Sequence, residues 1–279
     1  LLSGAEEFIR QRLAAEKALK AAFPQAAKTQ VVLTAEMAAP EAPQGPSARL
    51  SERAVADGRP KAPVAGARPN HVRRVIVVGS GKGGVGKSSV SLALAIGLSQ
   101  LGLRVGLLDA DIYGPSVPVM LGLSQPPSFG ADKLMVPPEA HGLKVNSVGF
   151  LVDPGQAMIW RGPMASQALT QLLTQTRWGT AEEPLDVLVV DLPPGTGDVQ
   201  LTLTQKTLID GAVVVSTPQE MALADARRAV TLFGKTAIPV IGVVENMAYL
   251  TMPDGSEMEI FGRGGAKKMA EALKVPFLG

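Results

Sequence analysis

Residues 75–89 read Val75-Ile76-Val77-Val78-Gly79-Ser80-Gly81-Lys82-Gly83-Gly84-Val85-Gly86-Lys87-Ser88-Ser89. Four apolar, β-branched residues predict a short buried strand, and the periodicity of Ser88–Gln100 predicts a helix after the glycines. From Gly81 to Ser88 the spacing is glycine, four residues, then Gly-Lys-Ser, which is the P-loop pattern. Glycines let a backbone wrap round phosphate oxygens with its N–H groups turned inward, and the helix that follows adds its positive end. The pattern predicts that Lys87 meets the β- and γ-phosphates and that Ser88 offers its hydroxyl to Mg²⁺. Gly81, Lys82, Gly83, Gly84, Val85, Gly86 and Ser89 would complete the cradle for ATP.

The same stretch supports a rival. Gly79, Gly81 and Gly84 satisfy G-x-G-x-x-G, and Asp109 stands about where a ribose-binding acid belongs, which would fit an NAD-dependent oxidoreductase. That reading gives no work to Gly86-Lys87-Ser88, nor to a second strand-end acid at Asp191. A triphosphate with magnesium uses all of them.

Outward from the loop, apolar runs alternate with helical patterns. Strands are expected at 75–78, 104–108, 143–151, 185–190, 212–216 and 239–244, with helices at 88–100, 163–178, 199–209 and 221–235. This is the signature of an α/β domain with a mostly parallel sheet and helices on both faces. Ligands in such sheets sit beyond the carboxyl ends of the strands. Two apolar runs end there in acids. Val187–Val190 leads into Asp191, the pattern of a carboxylate that supports Mg²⁺, followed by a stiff turn, 192–198, placed to sense a γ-phosphate. Val105–Leu108 leads into Asp109-Ala110-Asp111, of which Asp109 is expected at the metal and Asp111 beside the attacking water.

Composition bounds the rest. The chain has 279 residues, 46% apolar and 19% charged, with no apolar stretch of the ~20 residues a membrane span needs. Its N-terminus has acids and arginines where a signal peptide would have an apolar run. A soluble, cytoplasmic protein is expected. Net charge is +2, and residues 37–74, with seven basic residues, three acids and six prolines, hold +4 of it. That composition reads as a solvated tether. With aromatics at 4%, no nucleic-acid surface is expected, and no membrane surface. Residues 1–36 offer an amphipathic helix (Phe8, Ile9, Leu13, Leu19, Phe23) and a short strand (29–34), the end of a small α+β domain. Residues 75–279 have the size of one α/β domain, whose C-terminal end is expected to lie beyond Gly279.

Lys82 narrows the reading, because an ordinary P-loop does not require a lysine directly after its first glycine. Gly81-Lys82-Gly83-Gly84-Val85-Gly86-Lys87-Ser88 resembles the deviant Walker A motif of the ATPases that include MinD, ParA and the nitrogenase iron protein. The resemblance implies a homodimer across the nucleotide in which Lys82 reaches the partner's phosphates. Asp109-Ala110-Asp111-Ile112-Tyr113-Gly114-Pro115-Ser116, Trp160-Arg161-Gly162-Pro163-Met164, Asp191–Asp198, Ser216–Glu220, Glu245-Asn246-Met247 and Phe261–Gly265 are together similar to the Mrp/ApbC iron–sulfur cluster carrier ATPases. It implies that Pro218 and Asn246 border the adenine, that residues 1–36 come from an iron–sulfur-assembly domain, and that scaffolds or apo-clients are partners. A positioning ATPase like MinD or ParA is the alternative.

One departure stands out. Cluster-carrying members usually have Cys-x-x-Cys between the Glu-Asn-Met and Phe-Gly-x-Gly-Gly stretches. Residues 248–260 read instead as a hairpin turning at Pro253-Asp254-Gly255, and the chain contains no cysteine. Methionine thioethers (Met252, Met258) are poor substitutes for thiolates. Asp254, Glu257 and Glu259 are the remaining hard ligands there, and a cysteine-bearing paralogue is the other source of thiolates.

Overall fold

A computed structural model of the chain describes residues 66–112, 114–151, 162–195 and 197–279. The helix and strand expected within 1–36, most of the tether, Tyr113, Trp160, Arg161 and Thr196 lie outside the described residues.

Seven strands form the central sheet, in the order β5-β6-β2-β7-β1-β8-β9. These are β1 (Val72–Ser80), β2 (Val105–Asp109), β5 (Glu139–Ala140), β6 (Leu143–Ser147), β7 (Leu185–Asp191), β8 (Gly211–Ser216) and β9 (Val240–Glu245). All neighbours pair in parallel except β5, which runs antiparallel to β6. Two small hairpins, β3 (Ser128–Phe129) with β4 (Met135–Val136) and β10 (Leu250–Thr251) with β11 (Glu257–Met258), stand apart.

Buried strand residues alternate between two cores, as the period of two requires. Val75 and Val77 of β1, Leu188 and Val190 of β7, and Ala212 and Val214 of β8 pack into one. It includes residues of α3 (Gly162–Thr174), α4 (Asp198–Lys206), α5 (Glu220–Lys235) and α6 (Gly265–Leu273), such as Leu169, Leu203, Phe233 and Met269. Val78, Val187, Val189, Val213 and Val215 pack into the other, with Ala95, Leu92 and Ile96 of α1 (Lys87–Gln100). Both faces are therefore covered, which is why the strands read as continuous apolar runs.

Several boundaries differ from expectation, each for a local reason. The first strand begins at Val72, so residues 66–74 belong to the fold and not to a tether. Arg73 pairs with Asp186 at 2.8 Å, while Arg68 and Arg74 reach Asp210 at 2.6 and 3.1 Å. The basic residues that read as solvated are thus partly bound to acids at the start of the sheet. α3 stops at Thr174 instead of running to Trp178. The N–H of Met135 donates to the carbonyl of Gln175 at 2.8 Å, and that of Arg177 to the carbonyl of Met135 at 2.8 Å, drawing this segment against β4. β6 gives way at Val148 to a 3-10 turn. α4 ends at Lys206, whose carbonyl accepts the N–H of Ala67 at 2.9 Å. α2 (Val117–Met120), β3, β4 and β5 carry no periodicity long enough to have been expected.

Candidate functional site

β1 delivers the glycine loop to the tip of the sheet, and α1 begins at Lys87. Gly86, just before it, has φ +81°, a left-handed backbone that glycine adopts without strain. A side chain there would also collide with the amide of Asn246. The loop borders a pocket of about 320 Å³ lined by Ser80, Lys82, Gly83, Gly84, Gly86, Lys87, Ser88, Ser89, Asp111, Ser116, Met120 and Pro194. Most of the expected cradle is therefore brought together. Val85 is buried beneath it.

At the base of the pocket Lys87 is 6% exposed and Asp191 wholly buried. Lys87 Nζ donates to Asp191 Oδ1 at 2.7 Å and stands 3.7 Å from Asp111. Ser88 Oγ donates to Asp191 Oδ2 at 2.5 Å and Ser91 Oγ to Oδ1 at 2.7 Å. Asp191 ends β7, which pairs with both β1 and β2, so the sheet itself places this acid between the glycine loop and the Asp109-Ala110-Asp111 segment. Ser91 was not singled out in the sequence. It lies four residues after Lys87 on the same helix, hence on the same face, and that spacing was the available signal.

Asp109 departs from its expected place. It does not line the pocket. Its oxygens accept from the N–H of Asp111, the N–H of Val117 and the hydroxyl of Ser147, each at 3.1 Å. Burial and the negative charge of Asp191 raise its pKa to about 6. Asp109 is thus engaged with its own loop and with β6.

Asn246 also has a different first partner. Its Nδ2 donates to the carbonyl of Val85 at 2.9 Å, tying the end of β9 to the glycine loop. The adjacent Glu245 accepts from the N–H groups of Gly264 and Ala266, both at 2.6 Å, and so caps α6. Pro218 is buried against Gly265. Neither Pro218 nor Asn246 lines the pocket described above. The hydroxyl of Thr217, beside Pro218, is buried without a hydrogen-bond partner among the described residues.

The hairpin forms as expected, with Leu250 opposite Met258 and Thr251 opposite Glu257. Two of its three acids are already engaged. Asp254 accepts from the Ser256 N–H and hydroxyl, and Glu257 pairs with Arg263 at 2.6 Å. Arg263 also lies 4.6 Å from the centre of the Tyr249 ring. Among the described residues, no group of three or more His, Cys, Asp or Glu is placed to hold a metal ion.

The donor set at the pocket suits a divalent cation. Ser88 and Asp191 converge as oxygen ligands, the kind magnesium prefers. Asp111 adds a second carboxylate close to them.

The family profile ParA, described as NUBPL iron-transfer P-loop NTPase, matches residues 71–279. The chain belongs to this family. Among its relatives, the iron–sulfur cluster carrier protein of Haemophilus influenzae is 54% identical over 209 residues, 74% of this chain and 55% of that protein. The protein of the same name from Escherichia coli K12 is 51% identical over 212 residues, 75% of this chain and 56% of that one. The chain thus spans little more than half the length of these relatives. Among solved structures it resembles a nucleotide-binding protein from Archaeoglobus fulgidus in complex with ADP, at 38% identity and a TM-score of 0.65, covering 75% of this chain and 81% of that one. MinD from Pyrococcus horikoshii shares the fold, with 18% identity and a TM-score of 0.53 over 74% of this chain and 79% of its own. Membership of an NTPase family favours the triphosphate over the dinucleotide reading of the glycines, in keeping with the use of Lys87 and Ser88 at Asp191. Among the described residues, no helix is long and apolar enough to cross a membrane.

Proposed function

We propose that the chain is an ATP-hydrolysing switch protein that serves iron–sulfur cluster assembly or transfer in the cytoplasm, working as a homodimer closed across the nucleotide. The observation that carries this reading is the buried Lys87, held between Asp191 and Asp111 at the base of a glycine-lined pocket. A triphosphate offers this lysine oxygens in place of Asp191, and the loop N–H groups take the remaining charge. Ser88 and Asp191 would hold magnesium, which neutralises charge on the β- and γ-phosphates when bound. Asp111 orients a water for attack on the γ-phosphate, and Lys82 reaches the partner's phosphates in trans. Pro218 and Asn246 border the adenine, and the unpartnered Thr217 hydroxyl supplies a polar group beside Pro218 for the base. Support for cluster work comes from the family and from the names of its relatives. With no cysteine in the chain, the thiolates that hold a cluster come from a partner, either a scaffold or a cysteine-bearing paralogue.

The test is ATP binding and turnover. Lys87→Ala abolishes nucleotide binding, whereas Lys82→Ala and Asp111→Ala keep binding and lose hydrolysis. Wild-type turnover by all three variants would refute the assignment. Anaerobic reconstitution with iron and sulfide, read by absorbance, should give a cluster only when a cysteine-bearing scaffold or paralogue is present.

A further inference from the structure

The segment from β2 to α2 brings Asp111 and Ser116 to the pocket, and one carboxylate holds both of its ends. Asp109, wholly buried, accepts the N–H of Asp111 through Oδ1 and the N–H of Val117 through Oδ2, each at 3.1 Å. The two N–H groups are six residues apart in the chain but meet one planar group, so that group fixes the span of the loop between them. The hydroxyl of Ser147 donates to Oδ2 at 3.1 Å and itself accepts the N–H of Gly149 at 2.9 Å. This anchors the carboxylate to β6, outside the loop it restrains.

We infer that Asp109 is a positioning residue for hydrolysis, acting through the backbone that carries Asp111 and not on the metal. The inference rests on the ATPase reading above. Three donors occupy the two oxygens, and the side chain does not line the pocket. Asp191 is likewise buried and takes three donors, but two of them, Lys87 and Ser88, are side chains that line the pocket, whereas Asp109 takes two backbone N–H groups and the hydroxyl of Ser147, which does not line it. An asparagine at 109 keeps the shape but turns an N–H₂ toward one of these donors. One end of the loop is then released while the pocket's glycine face stays intact.

The experiment compares wild type, Asp109→Asn and Ser147→Ala in steady-state hydrolysis of Mg-ATP, titrating both nucleotide and Mg²⁺. A misplacement on the ångström scale is expected to lower kcat of Asp109→Asn by about tenfold or more, and loss of the outer anchor to lower that of Ser147→Ala by about threefold. In both variants KM and the half-saturating Mg²⁺ concentration stay within about twofold of wild type. Without nucleotide, the amides of Asp111 and Val117 exchange hydrogen faster in Asp109→Asn than in wild type. A kcat restored by raising Mg²⁺ would make Asp109 a metal ligand and overturn the inference. So would unchanged kcat in Asp109→Asn, or in Ser147→Ala should the other variant not fold. A wild-type protein that does not hydrolyse ATP would defeat the ATPase reading instead, and unaltered amide exchange would then still refute the clasp.

Discussion

The pairing of Lys87 with Asp191 makes a prediction about stability that is separate from binding. Lys87→Met keeps most of the side-chain volume and removes the charge. Asp191 is then left with no exposure to water and only the hydroxyls of Ser88 and Ser91 as side-chain donors. Removing one partner of a buried ion pair costs about 3–5 kcal/mol, because the remaining charge is uncompensated. That is a large share of the ~5–15 kcal/mol typical of a domain. Asp191→Asn is milder, because Lys87 still has Asp111 at 3.7 Å and lines the pocket. In the double variant both charges are gone, and the introduced asparagine can accept from one of the two serines through its carbonyl oxygen and donate to the hydroxyl of the other through its N–H₂. Its cost is expected to fall about 2 kcal/mol below the sum of the two singles. The measurement is urea unfolding of the four proteins without nucleotide, followed by circular dichroism. If Lys87→Met costs under about 1 kcal/mol and the two singles simply add, the pair is not a compensated buried charge, and the electrostatic argument for the site fails with it.

Asp210 gives a pH-dependent prediction. Its burial favours the neutral form, but the bonds from Arg68, the Val75 N–H and Arg74 outweigh it and hold the pKa at about 2. A depressed acid stabilises the fold fully above its unfolded value of about 4 and loses that contribution as pH falls through 2. Asp210→Asn should therefore cost about 1–2 kcal/mol at pH 7, with the gap to wild type closing in unfolding curves between pH 4 and 2. An equal gap at pH 7 and pH 2 contradicts this. Gly66→Val tests the strap before β1, because a Cβ there would lie 2.5 Å from the carbonyl carbon of Thr207. The bonds from Ala67 N–H to Lys206 and from Leu208 N–H to Ala67 should be lost, at about 1–2 kcal/mol, with faster amide exchange at Leu208.

How the sequence exposed the fold depended on burial. Strands covered on both faces, such as Val187–Val190 and Val213–Val215, have no choice but to be apolar throughout, so they can be read residue by residue. Elements stabilised by one or two backbone contacts leave no such mark. β4 is a two-residue strand paired with β3, too short to show a period, and the chain after α3 returns to bond Met135 as well, a contact between residues 40 apart that no local pattern encodes. The same cause hid the true start of β1. Arg68, Arg73 and Arg74 look like a charged tether until Asp186 and Asp210, more than a hundred residues later, are placed beside them.

At the site, the pattern located the acids without orienting them. Asp109 and Asp191 both follow apolar runs, both end parallel strands, and stand directly opposite each other in register. What separates their roles lies off those strands. Asp191 meets Lys87, Ser88 and Ser91, three polar groups spaced along the first turns of α1, and so faces the loop. Asp109 meets Ser147 of β6 and the backbone N–H groups of Asp111 and Val117, and so is bound to the loop that leads to α2. A strand-end carboxylate therefore takes its role from the donors that reach it first. For Asp109 these come from a neighbouring strand and a loop closure, neither of which spacing within the Asp109-Ala110-Asp111 segment can reveal.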